Sequence, residues 1–133
     1  MTKTKEELNE LKEKYDSLVN KLKELDEDEL TYIVSGYASG ESKDVIIRNS
    51  SLALYKIRES LFEVISIPAF KTIFDAVENA IIALSGKNVS AAMRYIMTDG
   101  MKNLKYLYPD YISTADLLYN KLYNVYTYLQ YAE

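Results

Sequence analysis

The amino-acid sequence predicts an all-α fold, a bundle of four or five helices with a heptad-patterned helix at its N-terminal end. Two observations lead to this prediction. The 133 residues include only 4 glycines and 2 prolines, too few turn formers for an all-β fold. Apolar residues also recur three and four positions apart in five separate segments, which is the spacing of amphipathic helices. The length fits one domain with a sizeable core.

The first predicted helix covers residues 5–25 and begins at a capping box formed by Thr4 and Glu7. Its seam has only two apolar positions per heptad, so we expect the helix to contact one or two partner helices. Those partners are either the body of the same chain or the same helix of another copy. The seam residues predicted to form an interface are Leu8, Leu11, Leu18, Leu22 and Leu25.

Charge separates this N-terminal part from the rest of the chain. Residues 1–36 carry six lysines against ten acidic residues, whereas residues 37–133 are neutral. Glycine and serine are frequent in the segment that joins the two parts, which is typical of a boundary. The sequence therefore predicts an acidic helical arm at 1–36, a Gly/Ser boundary at 37–42 and a helical body at 43–133.

The first two helices of the body are predicted at residues 43–65 and 69–85. The earlier helix is predicted to start at Ser42 or Asp44 and must end before Pro68. Gly86 follows the later helix as its expected C′ residue. The residues of the later helix predicted to face the core are Phe70, Ile73, Phe74, Val77, Ala80, Ile81 and Leu84.

The next helix is predicted to open at Asn88 or Ser90 and to end at Pro109. Gly100 lies within it, which indicates a kink or a close helix crossing. The last helix is predicted to start at the capping-box pattern of residues 113–116 and to run to the end of the sequence. Its core-facing residues are Leu118, Leu122, Val125 and Leu129.

Tyrosine is concentrated in the last third of the sequence. Nine of the 13 tyrosines lie between Tyr95 and Tyr131. Tyr119, Tyr123 and Tyr126 form a stripe one residue away from the leucines of the last helix. Because a tyrosine combines a large ring with a hydroxyl group, this stripe predicts either a protein interface or packing at the edge of the core.

The composition excludes most routine catalytic sites. The chain has no histidine, cysteine or tryptophan, so it contains no Cys/His zinc site, cysteine nucleophile, disulfide or Ser-His-Asp triad. Two acidic pairs, Glu59 with Glu63 and Asp75 with Glu78, lack the histidines that accompany carboxylates in helical metal sites. We therefore expect a non-enzymatic protein with no catalytic, cofactor-binding or metal-binding residues.

Partners and location follow from charge and hydropathy. The body has no basic stripe, which disfavours nucleic acid, and no apolar run is long enough for a membrane span. We expect a cytoplasmic or virion protein that binds itself or another protein. A composition rich in Lys, Glu, Ile and Tyr, with a single glutamine, is typical of a heat-adapted source or an AT-rich genome.

Residues 25–36 resemble the end of a double-glycine secretion leader, as found on bacteriocins and related modified-peptide precursors. The positions that match the pattern of this family are Leu25, Glu29, Leu30, Ile33, Ser35 and Gly36. The resemblance implies cleavage after Gly36 and export of the remaining residues. The family usually has glycine where this sequence has Ser35.

Taken together, these features predict a non-enzymatic helical assembly or partner-binding protein. A structural subunit, a small adaptor or an inhibitor from a virus or mobile element would have these properties. The alternative is the precursor of a secreted peptide whose leader is removed after Gly36.

Overall fold

The computed structural model describes residues 4–27, 42–107 and 111–133, without the side chains of residues 11 and 25–27. All regular secondary structure in these ranges is helical, which confirms the all-α fold. The α-helices are α1 (Lys5–Glu27), α2 (Lys43–Leu61), α3 (Pro68–Ser85), α4 (Val89–Arg94) and α5 (Ile112–Leu129). The predicted cleavage site after Gly36 and most of the predicted boundary at 37–42 lie outside the described residues.

Three helices begin at side-chain caps. The Oγ1 atom of Thr4 accepts a hydrogen bond from the backbone N–H of Glu7 at 3.1 Å, as predicted. Ser42 caps α2 in the same way, and the Oδ1 atom of Asn88 accepts a bond from the N–H of Ala91 at the start of α4. Each cap satisfies an N–H group that has no partner within its helix.

The capping box predicted for α5 is wrong. The helix begins at Ile112, and Tyr111 occupies the N-cap position without a side-chain hydrogen bond. Thr114 is instead the third residue of the helix, where it is completely buried and its Oγ1 atom has no hydrogen-bond partner. At this earlier start the Tyr111 ring packs against the rings of Tyr15 and Phe70, each with its centroid 5.2 Å away.

The end of α3 differs by one residue from the prediction. Gly86 is the C-cap with φ −93°, and Lys87 adopts the left-handed conformation with φ 58°. The N–H groups of Lys87 and Asn88 donate to the carbonyls of Leu84 and Ala83, the two bonds of a Schellman motif. Lysine therefore occupies the position at which glycine is most common.

Helices α2 and α3 form an antiparallel hairpin through the short 3-10 turn Phe62–Val64. Arg58 and Glu78 pair across the hairpin at 3.3 Å, and the rings of Phe62 and Phe74 meet edge to face at 5.3 Å. Every α3 residue predicted to face the core is buried. The predicted end of the α2 segment at Ile65 is four residues too late for the α-helix, because the chain tightens into the 3-10 turn after Leu61.

The helix predicted between Asn88 and Pro109 is not one uniform α-helix. Six α-helical residues are followed by a π-helical segment, Tyr95–Gly100, and then by a 3-10 segment, Met101–Leu107. Gly100 lies at the junction and is buried. A Cβ atom there would lie 3.4 Å from Leu122 and 3.9 Å from Ala76, so the chain crosses α5 and α3 closely at this residue, as predicted.

Helix α1 packs against α2, α5 and the 3-10 turn with its C-terminal half. Leu18 and Leu22 are completely buried, and the Tyr15 ring lies 5.2 Å from that of Tyr111. Lys21 pairs with Glu63 at 3.0 Å. By contrast, every described side chain from residue 5 to residue 14 is exposed. The first part of α1 therefore projects beyond the body, whereas the second part belongs to its core.

Candidate protein interface

Helix α5 packs into the protein along one face. Leu118, Leu122, Val125 and Leu129 are completely buried, as the spacing predicts. The hydroxyl group of buried Tyr128 accepts a hydrogen bond from the side-chain amide of Asn49 at 3.0 Å. Lys121 also lies on this inner side and is only 2% exposed. The inner face thus contains the one cation of the helix, so its charge is withdrawn from the surface.

The opposite side of α5 is apolar and aromatic as well. Tyr119 and Tyr123 are 46% and 47% exposed, and their rings stack with centroids 6.0 Å apart and planes 11° apart. Ile112 extends the same side toward the start of the helix and is also half-exposed. We call this side, from Ile112 to Gln130, the α5 outer face.

Charge is almost absent from the α5 outer face. Asp116 is its one exposed charged residue, because Lys121 is buried and no other charged residue occurs before Glu133. The remaining exposed or partly buried polar residues, apart from the tyrosines, carry amides or hydroxyl groups: Ser113, Asn120, Asn124, Thr127 and Gln130. Depletion of charge together with enrichment of tyrosine is typical of the centre of a protein interface.

A groove of about 240 Å³ borders the C-terminal end of this face. Tyr126 forms one wall and is partly buried against the core, so of the three predicted tyrosines it is the least accessible. The hydroxyl group of Ser90 donates to Glu133 at 3.3 Å across one end. The other lining residues come from α4 and the π-helical segment: Met93, Arg94, Met97 and Thr98. The volume is below that of a typical small-molecule site but sufficient for one side chain.

The predicted seam residues of α1 fall into two groups. Leu18 and Leu22 fill the core of their own chain, so packing within one chain accounts for them. Leu8 is 51% exposed on the projecting part of the helix. The side chains of Leu11 and Leu25 lie outside the description. Among the seam residues whose side chains are described, exposed Leu8 therefore does not share a surface with buried Leu18 and Leu22.

Two surface features were missing from the sequence prediction. Ile112 was placed before the last helix rather than on its outer face. A second exposed apolar group, Leu52, Tyr55 and Ile82, lies on the α2–α3 hairpin beside a groove of about 180 Å³. The spacing of Leu52 and Tyr55 on one side of α2 could have indicated it. Unlike the α5 outer face, this hairpin surface is crossed by the Arg58–Glu78 ion pair.

Three of the four carboxylates considered as metal ligands have cationic neighbours. Glu78 pairs with Arg58, Asp75 with Lys71, and Glu63 with Lys21. Lys21 donates a hydrogen bond to the Glu63 carboxylate and attracts its charge, which lowers the pKa of this group below its ordinary value of 4.5. Among the residues that the structure describes, no three acidic side chains lie close enough to hold a metal ion.

None of the helices in residues 4–27, 42–107 and 111–133 is long and apolar enough to cross a membrane. No known protein-family model, curated protein or solved structure matches the chain.

Proposed function

We propose that this protein acts without chemistry, by binding another protein chain through the α5 outer face. The observation that carries the proposal is the tyrosine-rich surface, with a single exposed charge, of a helix whose opposite side is already in the core. Tyrosine contributes a large contact area at a low cost in side-chain entropy, and an uncharged surface is inexpensive to remove from water. A structural subunit, an adaptor and an inhibitor would all use such a surface.

The packing of α1 favours this proposal over the secreted-peptide alternative. Cleavage after Gly36 would remove Leu18 and Leu22 from the core, where both are completely buried. It would also remove Tyr15 from its contact with Tyr111 and Lys21 from its ion pair with Glu63. An exported remainder would expose the apolar surface that α1 covers. The arm is therefore better explained as part of the functional protein.

Site-specific photo-cross-linking in the cells that naturally produce the protein tests the proposal. A benzophenone amino acid at position 123 is expected to yield a covalent adduct of defined mass. Position 55 is a matched control, because Tyr55 is 49% exposed and Tyr123 is 47% exposed. The same adduct is expected to disappear when Tyr119→Glu is added, since a carboxylate would then have to be buried at the interface.

The absence of any adduct from positions 119 and 123 would overturn the proposal. Adducts of equal yield from positions 123 and 55 would also contradict it, because they would indicate nonspecific capture by any exposed aromatic position.

A further inference from the structure

We infer that residues 95–107 form a two-state helical segment, which exchanges between the geometry seen in the structure and a continuous α-helix. The inference concerns a conformational device within the fold and does not depend on the function proposed above. It is based on the side of the segment that Met101 faces, on the helix geometry that places Met101 there, and on one hydrogen bond at the junction of the two parts.

The burial of Met101 depends on the non-α geometry of the segment. Each residue of an α-helix advances by about 100° around the axis, so four residues would share a face about 80° wide: Ile96, Gly100, Leu104 and Leu107. All four are buried in the structure. On the same α-helix Met101 would lie about 105° from the middle of this face. It is nevertheless only 6% exposed, because the wider π-helical turns before it bring it round to the buried side.

The two parts of the segment deviate from an α-helix in opposite directions. Hydrogen bonds span five residues in the π-helical part, Tyr95–Gly100, and three in the 3-10 part, Met101–Leu107. The first part therefore turns by less than about 100° per residue, and the second by about 120°. Because the second part largely makes up the lag of the first, conversion to an α-helix leaves Arg94 and Leu107 nearly in place. It rotates mainly the residues near the junction.

Local preference favours the α-helical state, whereas packing favours the state seen in the structure. Runs of 3-10 helix longer than three or four residues are uncommon because their hydrogen-bond geometry is poor, and this run has seven residues. Methionine, lysine and leucine make up five of the seven, and all three residue types favour the α-helix. Burial of Met101 opposes this preference. We therefore expect the α-helical state as a minor population in equilibrium with the main one.

A side-chain hydrogen bond holds the junction in its observed state. The Nδ2 atom of Asn103 donates to the backbone carbonyl of Asp99 at 2.7 Å. In an α-helix the backbone N–H of residue 103 would donate to this same carbonyl, whereas in a 3-10 helix that N–H bonds three residues back. The side chain thus supplies the donor that the altered register takes away. Conversion to an α-helix would release it.

The exchange changes the groove beside the α5 outer face. Met97 and Thr98 line this groove and belong to the π-helical part. Conversion turns both side chains about the helix axis, while Tyr126 on α5 stays in place. The groove therefore has a different shape in each state, and a ligand that fits one shape better shifts the population toward that state.

Oxidation by dilute hydrogen peroxide tests the exchange in the full wild-type chain. Peroxide converts an accessible methionine thioether to the sulfoxide, which peptide mass spectrometry quantifies at each position. Met93 is the matched control, because Met93 and Met101 are both 6% exposed and only Met101 changes sides. We expect Met101 to be oxidised about tenfold faster than Met93. Equal rates at the two positions would overturn the inference.

Amide hydrogen exchange separates this conversion from local unfolding. Unfolding of residues 95–107 would expose the Met101 thioether and the amide N–H groups together, so both would be protected to the same degree. An α-helical state keeps the amides hydrogen-bonded. We therefore expect the amides of residues 101–107 to be protected about tenfold more than the thioether, each relative to an unstructured peptide. Equal protection of the two kinds of group would overturn the two-state helix.

Asn103→Ala tests the hydrogen bond at the junction. The variant removes the donor to the Asp99 carbonyl and introduces a residue of higher helix propensity, so both effects favour the α-helical state. The oxidation rate of Met101 should rise about fivefold, while that of Met93 stays unchanged. Asn124→Ala is the matched control, because Asn124 is also partly buried but lies on α5, and it should leave both rates as in the wild type. An unchanged or slower rate at Met101 in Asn103→Ala would overturn the inference.

Discussion

Helices α1 and α5 share the same spacing of apolar residues but differ in the residues around it. Thirteen of the 23 residues in α1 are charged, against two of the 18 in α5. In α1 these charges surround one narrow seam, part of which is buried. In α5 the buried stripe has an apolar stripe on the opposite side. The comparison shows that spacing identifies the buried face of a helix, whereas the composition of the other face determines whether it can bind.

The largest expected effect tests whether the second half of α1 belongs to the core while its first half projects from the body. Leu22→Ala should lower the free energy of unfolding by about 3 kcal/mol, because it removes a buried side chain and leaves a cavity. Leu8→Ala should change it by less than about 0.5 kcal/mol, since Leu8 is on the exposed part of the same helix. Urea denaturation followed by circular dichroism measures both. Equal losses would show that the two halves of α1 are packed alike.

The next effect concerns the start of α5, which has no side-chain cap. Thr114→Val should raise the stability by about 1 kcal/mol, because it removes a buried hydroxyl group without a hydrogen-bond partner and keeps the side-chain shape. Thr127→Val is the matched control on the same helix. The hydroxyl group of Thr127 donates to the carbonyl of Tyr123, so its removal should not stabilise the protein. A loss of stability in Thr114→Val would contradict this account of the α5 start.

A smaller and local effect is expected at the start of α1, which does have a cap. Thr4→Ala should cost the first turn about 1 kcal/mol and speed its amide hydrogen exchange about fivefold. The midpoint of thermal unfolding should scarcely move, because every described side chain in this part of α1 is exposed. Ser42→Ala is the comparison, since α2 is part of the core and its cap contributes to global stability. A clear fall in the midpoint for Thr4→Ala would mean that the projecting part is packed.

The smallest effect is the pH dependence of the contact between α1 and the body. Because Lys21 lowers the pKa of Glu63 in the folded state, this pair stabilises the protein above pH 4.5. The contribution is lost as pH falls through the lower pKa of the folded protein. Glu63→Gln should therefore reduce stability slightly at neutral pH and at low salt, and the difference should vanish in acid.

Glu59→Gln is the control, an exposed glutamate for which no ion pair is seen among the described residues. A difference between wild type and Glu63→Gln that persists in acid would show that the Lys21 contact does not cause it.

The sequence predicted most of the core but not every helix boundary. The leucines of α5 and the apolar face of α3 were predictable because each repeats at the helical period over several turns. The π-helical and 3-10 segments after Arg94 were not, because no local pattern distinguishes them from an α-helix. The pattern at residues 113–116 also resembles a capping box, but in the folded protein Thr114 is buried inside the helix. In these places tertiary contacts outweighed local preference.

The candidate interface was predictable in part. Tyr119 and Tyr123 stood out from their number and spacing, and they lie together on the surface. Ile112 and the groove beside Tyr126 required the structure, because they depend on an altered helix start and on the approach of the π-helical segment. The sequence also did not indicate that Leu8 is exposed whereas Leu18 is buried, because both positions belong to one regular repeat.

By itself, the sequence determined that this protein is all-α, which faces of its helices are apolar, and that its last helix carries few charges. These properties depend on backbone geometry and residue type over a few turns, so they can be read locally. The tertiary structure decided which apolar faces have partners within the chain: the second half of α1 does, and the α5 outer face does not. Which apolar faces are covered depends on how segments that are distant in the sequence pack together, so no short stretch of sequence determines it.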